Sequence, residues 1–224
     1  AQHFSFGPKG IDTGLLIEHY DKGLLLLNGG SYFSVTKTDI NGVTLWKKYI
    51  GGPNVSIYAI SICTTSDGGV LVAGKSNLES QDLLATFIKL NACGDLEWCK
   101  VFDVANGFQT YSVDMVECPD KSFKGIISFF HNFANSRTLL ISLDSLGNNP
   151  TINYVSNNGV FNQAIGLQIV GFHNDNLVLM FDPHQMTWRV WGEIDSQANL
   201  LWSAGLPGFV SDTEDDNNDM IYIS

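Results

Sequence analysis

The chain has 224 residues, 44% hydrophobic and 16% charged, and its 23 acidic against 12 basic residues give a formal charge of −11. Leu, Ile, Val and Phe are plentiful enough for a sizeable core, which excludes global disorder, and the acidity disfavours nucleic acid, a polyanion it would repel. The longest purely aliphatic run, Leu24-Leu25-Leu26-Leu27, is far short of the ~20 residues a membrane helix needs, so no membrane span is expected.

The chain opens at Ala1-Gln2-His3-Phe4 without an initiator Met. That start fits a chain trimmed by signal peptidase, and equally a cut fragment. Residues 3–10 read as an outer strand, because Phe4-Ser5-Phe6-Gly7 parallels Lys48-Tyr49-Ile50-Gly51. Next comes a unit over residues 14–52, with a turn at Asp21-Lys22-Gly23, an apolar strand from Leu24, a second turn at Asp39-Ile40-Asn41-Gly42 and a Trp at 46. Residues 58–102 repeat this plan most clearly. Their turns are Ser66-Asp67-Gly68-Gly69 and Asn91-Ala92-Cys93-Gly94, and Trp98 follows. A third copy over residues 111–154 has Asp144-Ser145-Leu146-Gly147 as its second turn, with Thr151 at the Trp position. A fourth over residues 163–205 has Asp195-Ser196-Gln197-Ala198 and Trp202. Residues 206–224 read as an acidic loop followed by the first strand of a further blade, Met220-Ile221-Tyr222-Ile223-Ser224.

The second turns are spaced 52, 53 and 51 residues apart. Each unit holds about four short runs of β-branched and aromatic residues joined by tight turns, without helical periodicity. Gly and Asn supply the positive φ that hairpin turns demand. A four-stranded repeat of ~50 residues predicts an all-β chain, a β-propeller built of four-stranded antiparallel blades. A β-sandwich has many short strands but no such constant period, and a β-helix repeats on a shorter ruler. Blades are buried on both faces, which accounts for runs such as residues 24–27 and 177–181 that are apolar throughout. Four blades are visible. The pattern at the tail favours a larger propeller over a four-bladed ring closed by head and tail.

The segment Ser66-Asp67-Gly68-Gly69-Val70-Leu71-Val72-Ala73-Gly74, with Ile88-Lys89-Leu90-Asn91-Ala92-Cys93-Gly94-Asp95-Leu96-Glu97-Trp98-Cys99-Lys100, resembles the propeller repeats of secreted Bacteroidota proteins. Residues 36–49 resemble the same repeat, and the likeness covers most of residues 14–205. Thr151 and Ala198 depart from it, which predicts less regular packing in the last two blades. The resemblance implies export by type IX secretion, a C-terminal sorting domain in such proteins, and an extracellular or cell-surface location, with secretion machinery as a partner. It also implies O-glycosylation at Asp-Ser/Thr-apolar tripeptides, which Asp144-Ser145-Leu146 matches at Ser145; the other reading of that tripeptide is a plain turn.

Four cysteines in an exported chain suggest disulfides. Cys93 with Cys99 and Cys63 with Cys118 are the expected pairs, the first only if its hairpin turn centres on residues 95–97. Buried thiols are the alternative. No Cys-x-x-Cys pair points to zinc, no His-x-x-x-His or Gly-x-Ser-x-Gly motif points to catalysis, and no cofactor is expected. The acidic run Asp212-Thr213-Glu214-Asp215-Asp216-Asn217-Asn218-Asp219 lacks the Gly and the closing Glu of an EF-hand loop, and reads as a solvated loop. The Trp residues recur once per unit, which marks packing between blades rather than a ligand platform. Ligand contacts are expected on the longer connections, at Lys75, Asn77, Gln81, Asp82, His131, Asn132, Phe133, Arg137 and His184. These loops are rich in Asn, Gln and aromatics, a mix suited to carbohydrate or protein. The expected function is a non-catalytic extracellular binding or scaffold region of a larger protein. The alternatives are a glycan-active hydrolase or lyase with an axial pocket, and a structural spacer or secretion cargo.

Overall fold

The structure is a computed structural model, which describes residues 14–28, 33–52, 55–77, 83–104, 109–130, 137–155, 165–182, 189–206, 213–215 and 221–223. The described residues form strands and turns without a helix, so none is long and apolar enough to cross a membrane. Contacts divide the chain into two compact units, residues 1–103 and 104–224.

The first unit holds two antiparallel four-stranded sheets. Blade 1 is β1 (Gly14–Glu18), β2 (Leu24–Asn28), β3 (Phe33–Thr38) and β4 (Thr44–Ile50), and blade 2 is β5 (Ile57–Thr64), β6 (Val70–Ser76), β7 (Leu84–Leu90) and β8 (Leu96–Phe102). The second unit repeats the plan. Blade 3 is β9 (Gln109–Glu117), β10 (Phe123–Phe130), β11 (Arg137–Leu143) and β12 (Thr151–Tyr154), and blade 4 is β13 (Ile165–His173), β14 (Asn176–Asp182), β15 (Arg189–Ile194) and β16 (Leu200–Leu206). A short antiparallel pair follows, β17 (Thr213–Asp215) with β18 (Ile221–Ile223). Part of the stretch read as an acidic loop is therefore extended and paired.

The second turn of every blade is built by one side chain. Asp39, Asn91, Asp144 and Asp195 each accept two backbone N–H bonds on Oδ1, from the residues two and four positions on, at 2.8–2.9 Å. Asp and Asn are chosen because a short carboxyl or amide oxygen reaches its own downstream amides. The residue three positions on has positive φ in all four turns: Gly42 (80°), Gly94 (79°), Gly147 (73°) and Ala198 (68°).

The two middle strands of each blade are covered on both faces, as their apolar sequences require. In β7 every residue is buried, whereas no residue of β4 or β8 is. Within the first unit, Leu25, Leu27, Phe33 and Val35 of blade 1 pack against Ile62, Val70, Val72, Ile88 and Leu90 of blade 2. Within the second, Ile126 and Leu140 of blade 3 join Ile169, Leu177, Leu179, Phe181, Val190, Ile194 and Ala198 of blade 4. Packing of blade on blade through aliphatic faces is the main stabilising term, at about 25 cal/mol per Å² of apolar surface buried.

Trp46 shows what the repeated aromatic does. It leaves β4 toward blade 2, where its Nε1 donates to the Ala92 carbonyl at 3.0 Å, and Lys48 beside it meets Asp95 at 2.8 Å. The turn comes so close that a Cβ on Gly94 would stand 2.9 Å from the indole. The two departures in the second unit belong together in this light. Blade 3 carries Thr151 where blade 1 carries Trp46, and blade 4 carries a fully buried Ala198 where blade 2 carries Gly94. These are the positions that meet between blades 1 and 2.

The cysteine pairings are corrected. None of the four cysteines is in a disulfide. The hairpin turn spans residues 91–95, not 95–97, so Cys93 lies within the turn while Cys99 sits along β8 opposite Ile88. With the turn there, Cys93 stands at the tip of the hairpin and Cys99 along its outer strand. Cys63 lies in β5 of the first unit and Cys118 just after β9 in the second. Cys118 fills the turn position held by Thr65 in blade 2, with its backbone closing the turn to Ser122 and Lys121.

Two tests follow from this packing. Gly94→Ala is expected to destabilise the chain by about 2–3 kcal/mol, through overpacking and an unfavourable φ. The loss should shrink when Trp46→Thr is also present, which a double-mutant cycle of denaturant unfolding measures. Native alkylation followed by mass spectrometry should label exposed Cys93 and Cys99 without prior reduction. Buried Cys118, whose thiol pKa is pushed up chiefly by burial, should react only after unfolding; labelling that requires reductant would restore the disulfides.

Candidate functional site

Two ends of the blades differ in chemistry. At one end the short turns gather around buried charges. Lys89 of β7 is 2% exposed, yet its Nζ donates to Asp67 Oδ2 at 2.8 Å, Glu97 Oε2 at 2.9 Å and the Leu90 carbonyl at 3.1 Å. All three ammonium protons have acceptors, which is the condition for burying a lysine. Gly69 makes room, since a Cβ there would lie 2.4 Å from that nitrogen. Blade 1 repeats the lock with buried Lys37 and Asp21 Oδ2 at 2.8 Å. Blade 4 keeps the position and reverses the charge. Buried Glu193 accepts from His173 Nδ1 at 3.0 Å, from Asn176 Nδ2 at 2.7 Å and from the Trp202 indole. In blade 3 the same place is held by Ser142.

In each blade this residue lies two positions before the second turn and opposite the outer-strand aromatic position: Lys37 opposite Trp46, Lys89 opposite Trp98, Ser142 opposite Thr151, Glu193 opposite Trp202. Sequence reading missed the set. The signal was available as Lys, Lys, Ser and Glu at the period of the turns. The carboxyls respond to their partners. The hydrogen bond from Lys37 holds Asp21 at about 2. Burial pushes Asp67 up, but hydrogen bonds from Lys89, Thr65 and Gly69 outweigh it and bring the group to about 2. Burial likewise pushes Glu193 up, and its donors Asn176, Trp202 and His173 bring it below the usual carboxylate range.

The other end carries the longer connections. In blade 2, β5 bulges between Ala59 and Ser61 and crowds β6, so that a Cβ on Gly74 would lie 2.2 Å from the Tyr58 carbonyl. Beyond the bulge Tyr58 stands opposite Lys75. Directly opposed residues share a face of the sheet, and this pair puts a 40%-exposed phenol ring beside a half-buried amine. Burial lowers the Lys75 amine below the ordinary lysine value. Asn77 closes the strand end: its Oδ1 accepts the Ser56 N–H at 2.8 Å and its N–H donates to the Ser56 carbonyl at 3.2 Å. Behind it, buried Ser76 and Thr86 share a 2.6 Å hydrogen bond. The backbone on either side of Lys75 is thereby held still.

Of the residues expected to meet a ligand, Lys75 and Asn77 are brought together here, Asn77 as a clamp on the backbone. Arg137 begins β11 in the other unit and is exposed. Gln81, Asp82, His131, Asn132, Phe133 and His184 lie outside the described residues. Ser145 is exposed in the turn after β11, at the opposite end of that strand from Arg137. Tyr58 was not anticipated, because it reads as the first residue of an apolar strand. Among the described residues no cluster of three or more His, Cys, Asp or Glu is placed to hold a metal.

No protein-family model matches the chain. Botulinum neurotoxin type F of Clostridium botulinum is 34% identical over 105 residues, which is 47% of this chain and 7% of the toxin. Among solved structures, a GH43 β-1,3-galactosidase superposes with a TM-score of 0.57 at 11% identity, over 91% of this chain and 50% of its own. A protein of unknown function from Bacteroides caccae gives 0.58 at 13% identity, over 90% of this chain and 66% of its own. The subtype N10 neuraminidase-like protein of A/little yellow-shouldered bat gives 0.54 at 10% identity, over 87% and 66%. These are propeller folds, and at such identities the likeness concerns the fold alone. The chain is all-β, and its four four-stranded sheets are propeller blades.

The locks set an acid limit on stability. Asp21 and Asp67 fall from 3.8 to about 2 on folding, so they stabilise the native state fully above pH ~4. That contribution should be lost as pH falls through about 2. Thermal melts between pH 5 and 2 should show a steep decline, and Lys89→Met should flatten it while costing about 1–3 kcal/mol at neutral pH.

Proposed function

We propose that the chain is a binding or scaffold region of a larger exported protein, with rigid blades presenting variable connections to carbohydrate or protein at the cell surface. The observation that carries this reading is the Tyr58–Lys75 pair on a strand end locked by Asn77 and Ser56. A ring exposed on a fixed backbone stacks on an apolar sugar face or a side chain at little entropic cost, and an adjacent amine donates to hydroxyl or carbonyl oxygens. Gln81, Asp82, His131, Asn132, Phe133, Arg137 and His184 extend the proposed surface. Export by type IX secretion, and glycosylation at Ser145, rest on the resemblance of the repeats to secreted Bacteroidota proteins.

A glycan-active hydrolase or lyase is the second reading. It is favoured by the likeness in fold to a β-1,3-galactosidase. A glycan array and a hydrolase and lyase screen on the same intact chain separate the two. The binding reading expects retention of defined glycans without turnover. Tyr58→Ala should then weaken binding about 10-fold, equivalent to about 1.4 kcal/mol, with the melting temperature unchanged. Turnover of any glycan would establish the second reading. Neither binding nor turnover would leave a structural spacer.

A further inference from the structure

The outer strand of each blade is a sheet edge, and the four edges are protected unequally. An exposed edge offers a row of backbone donors and acceptors to any other strand, and proteins blunt it with charges, especially lysine, or by keeping it short. β4 carries Lys47 and Lys48, and β8 carries Glu97 and Lys100. β12 is only four residues long. β16, Leu-Leu-Trp-Ser-Ala-Gly-Leu, is seven residues long and has no charge and no proline. Among the described residues it pairs with β15 alone. Leu201 is 52% exposed, Trp202 44%, and Ala204 and Gly205 are exposed as well.

The missing charge has a definite place in the repeat. Two residues beyond the aromatic position stand Lys48 in blade 1, Lys100 in blade 2, Asn153 in blade 3 and Ala204 in blade 4. Blade 4 has exchanged the lysine of the first two blades for a methyl. Its Trp202 is turned back onto its own Glu193, whereas Trp46 reaches the neighbouring blade.

We propose that β16 is a homotypic interface, at which two copies of this chain pair edge to edge, antiparallel, about a two-fold axis through Ser203. The choice of a second copy rests on self-complementarity. In that register Trp202 faces the Ala204 position of the other copy, and Leu201 faces Gly205, so large exposed side chains meet small ones. No like charges are brought together within the strand, as they would be if β4 paired with itself through Lys47 and Lys48. Two-fold self-association is the commonest oligomeric arrangement, because one patch serves both subunits. The bulge at Leu201, between the pairs Glu193–Trp202 and Ile194–Leu200, twists the strand beyond it and limits the pairing to the stretch around Ser203. That limit favours a closed dimer over a growing sheet. Residues 104–224 carry 13 acids against four bases, so the two copies repel one another and salt should strengthen the pair.

Sedimentation velocity and light scattering across protein concentration test this. The chain should be a monomer–dimer equilibrium whose dimer fraction rises between 0.05 and 0.5 M NaCl, at roughly constant melting temperature. Ala204→Lys, which restores the lysine of the first two blades, should weaken the dimer at least 10-fold and leave the far-UV spectrum and melt unchanged. Ser203→Lys, which opposes two like charges across the axis, should do the same if Ala204→Lys proves unstable. A wild-type chain that stays monomeric at several hundred micromolar and high salt overturns the proposal. So does a dimer insensitive to both folded variants, or binding only of unrelated extended peptides at this edge.

Discussion

In three of the four blades, a charge buried under the tryptophan of the outer strand ties the blade together. Lys37 and Lys89 reach from the third strand to the aspartate of the first turn, and Glu193 reaches from the same place to His173 and Asn176. A hairpin turn at a sheet end is otherwise free to fray. The buried ion couples it to a strand two places further along, and the half-exposed carboxylates supply the acceptors that a buried lysine needs. The reversal of sign in blade 4 shows that a satisfied charge of either kind fits the place, and in blade 3 Ser142 holds it without one. The geometry of the turn and the aromatic cover are kept, and the donors and acceptors change sides.

Packing between blades 1 and 2 depends on the second turn. The second turn is set by an Asp or Asn side chain and a residue of positive φ, and in blade 2 it lies against Trp46 of blade 1. The size of the turn residue and that of the outer-strand side chain are thus matched.

The strands, turns and blade period were legible because hairpins are short-range objects. Residues 21–23 or 91–94 announce their turns through side chains that act within four positions. The candidate site was only half legible. Lys75 and Asn77 stand out as polar residues after an apolar strand, but the exposure of Tyr58 depends on a bulge that no local pattern announces. The cysteine pairing failed for a related reason: centring the hairpin three residues later brings Cys93 and Cys99 together, and the Asn91 side chain decides against it.

Sequence alone determined the class of fold, the number of visible blades and the position of every second turn, because each follows from local backbone preference repeated at a constant interval. Tertiary structure alone decided which charges are buried. It also decided that Trp46 serves the neighbouring blade while Trp202 serves its own. Those outcomes depend on what lies across a strand or on the next sheet. A lysine in sequence looks the same whether it faces water or three oxygen atoms inside a blade.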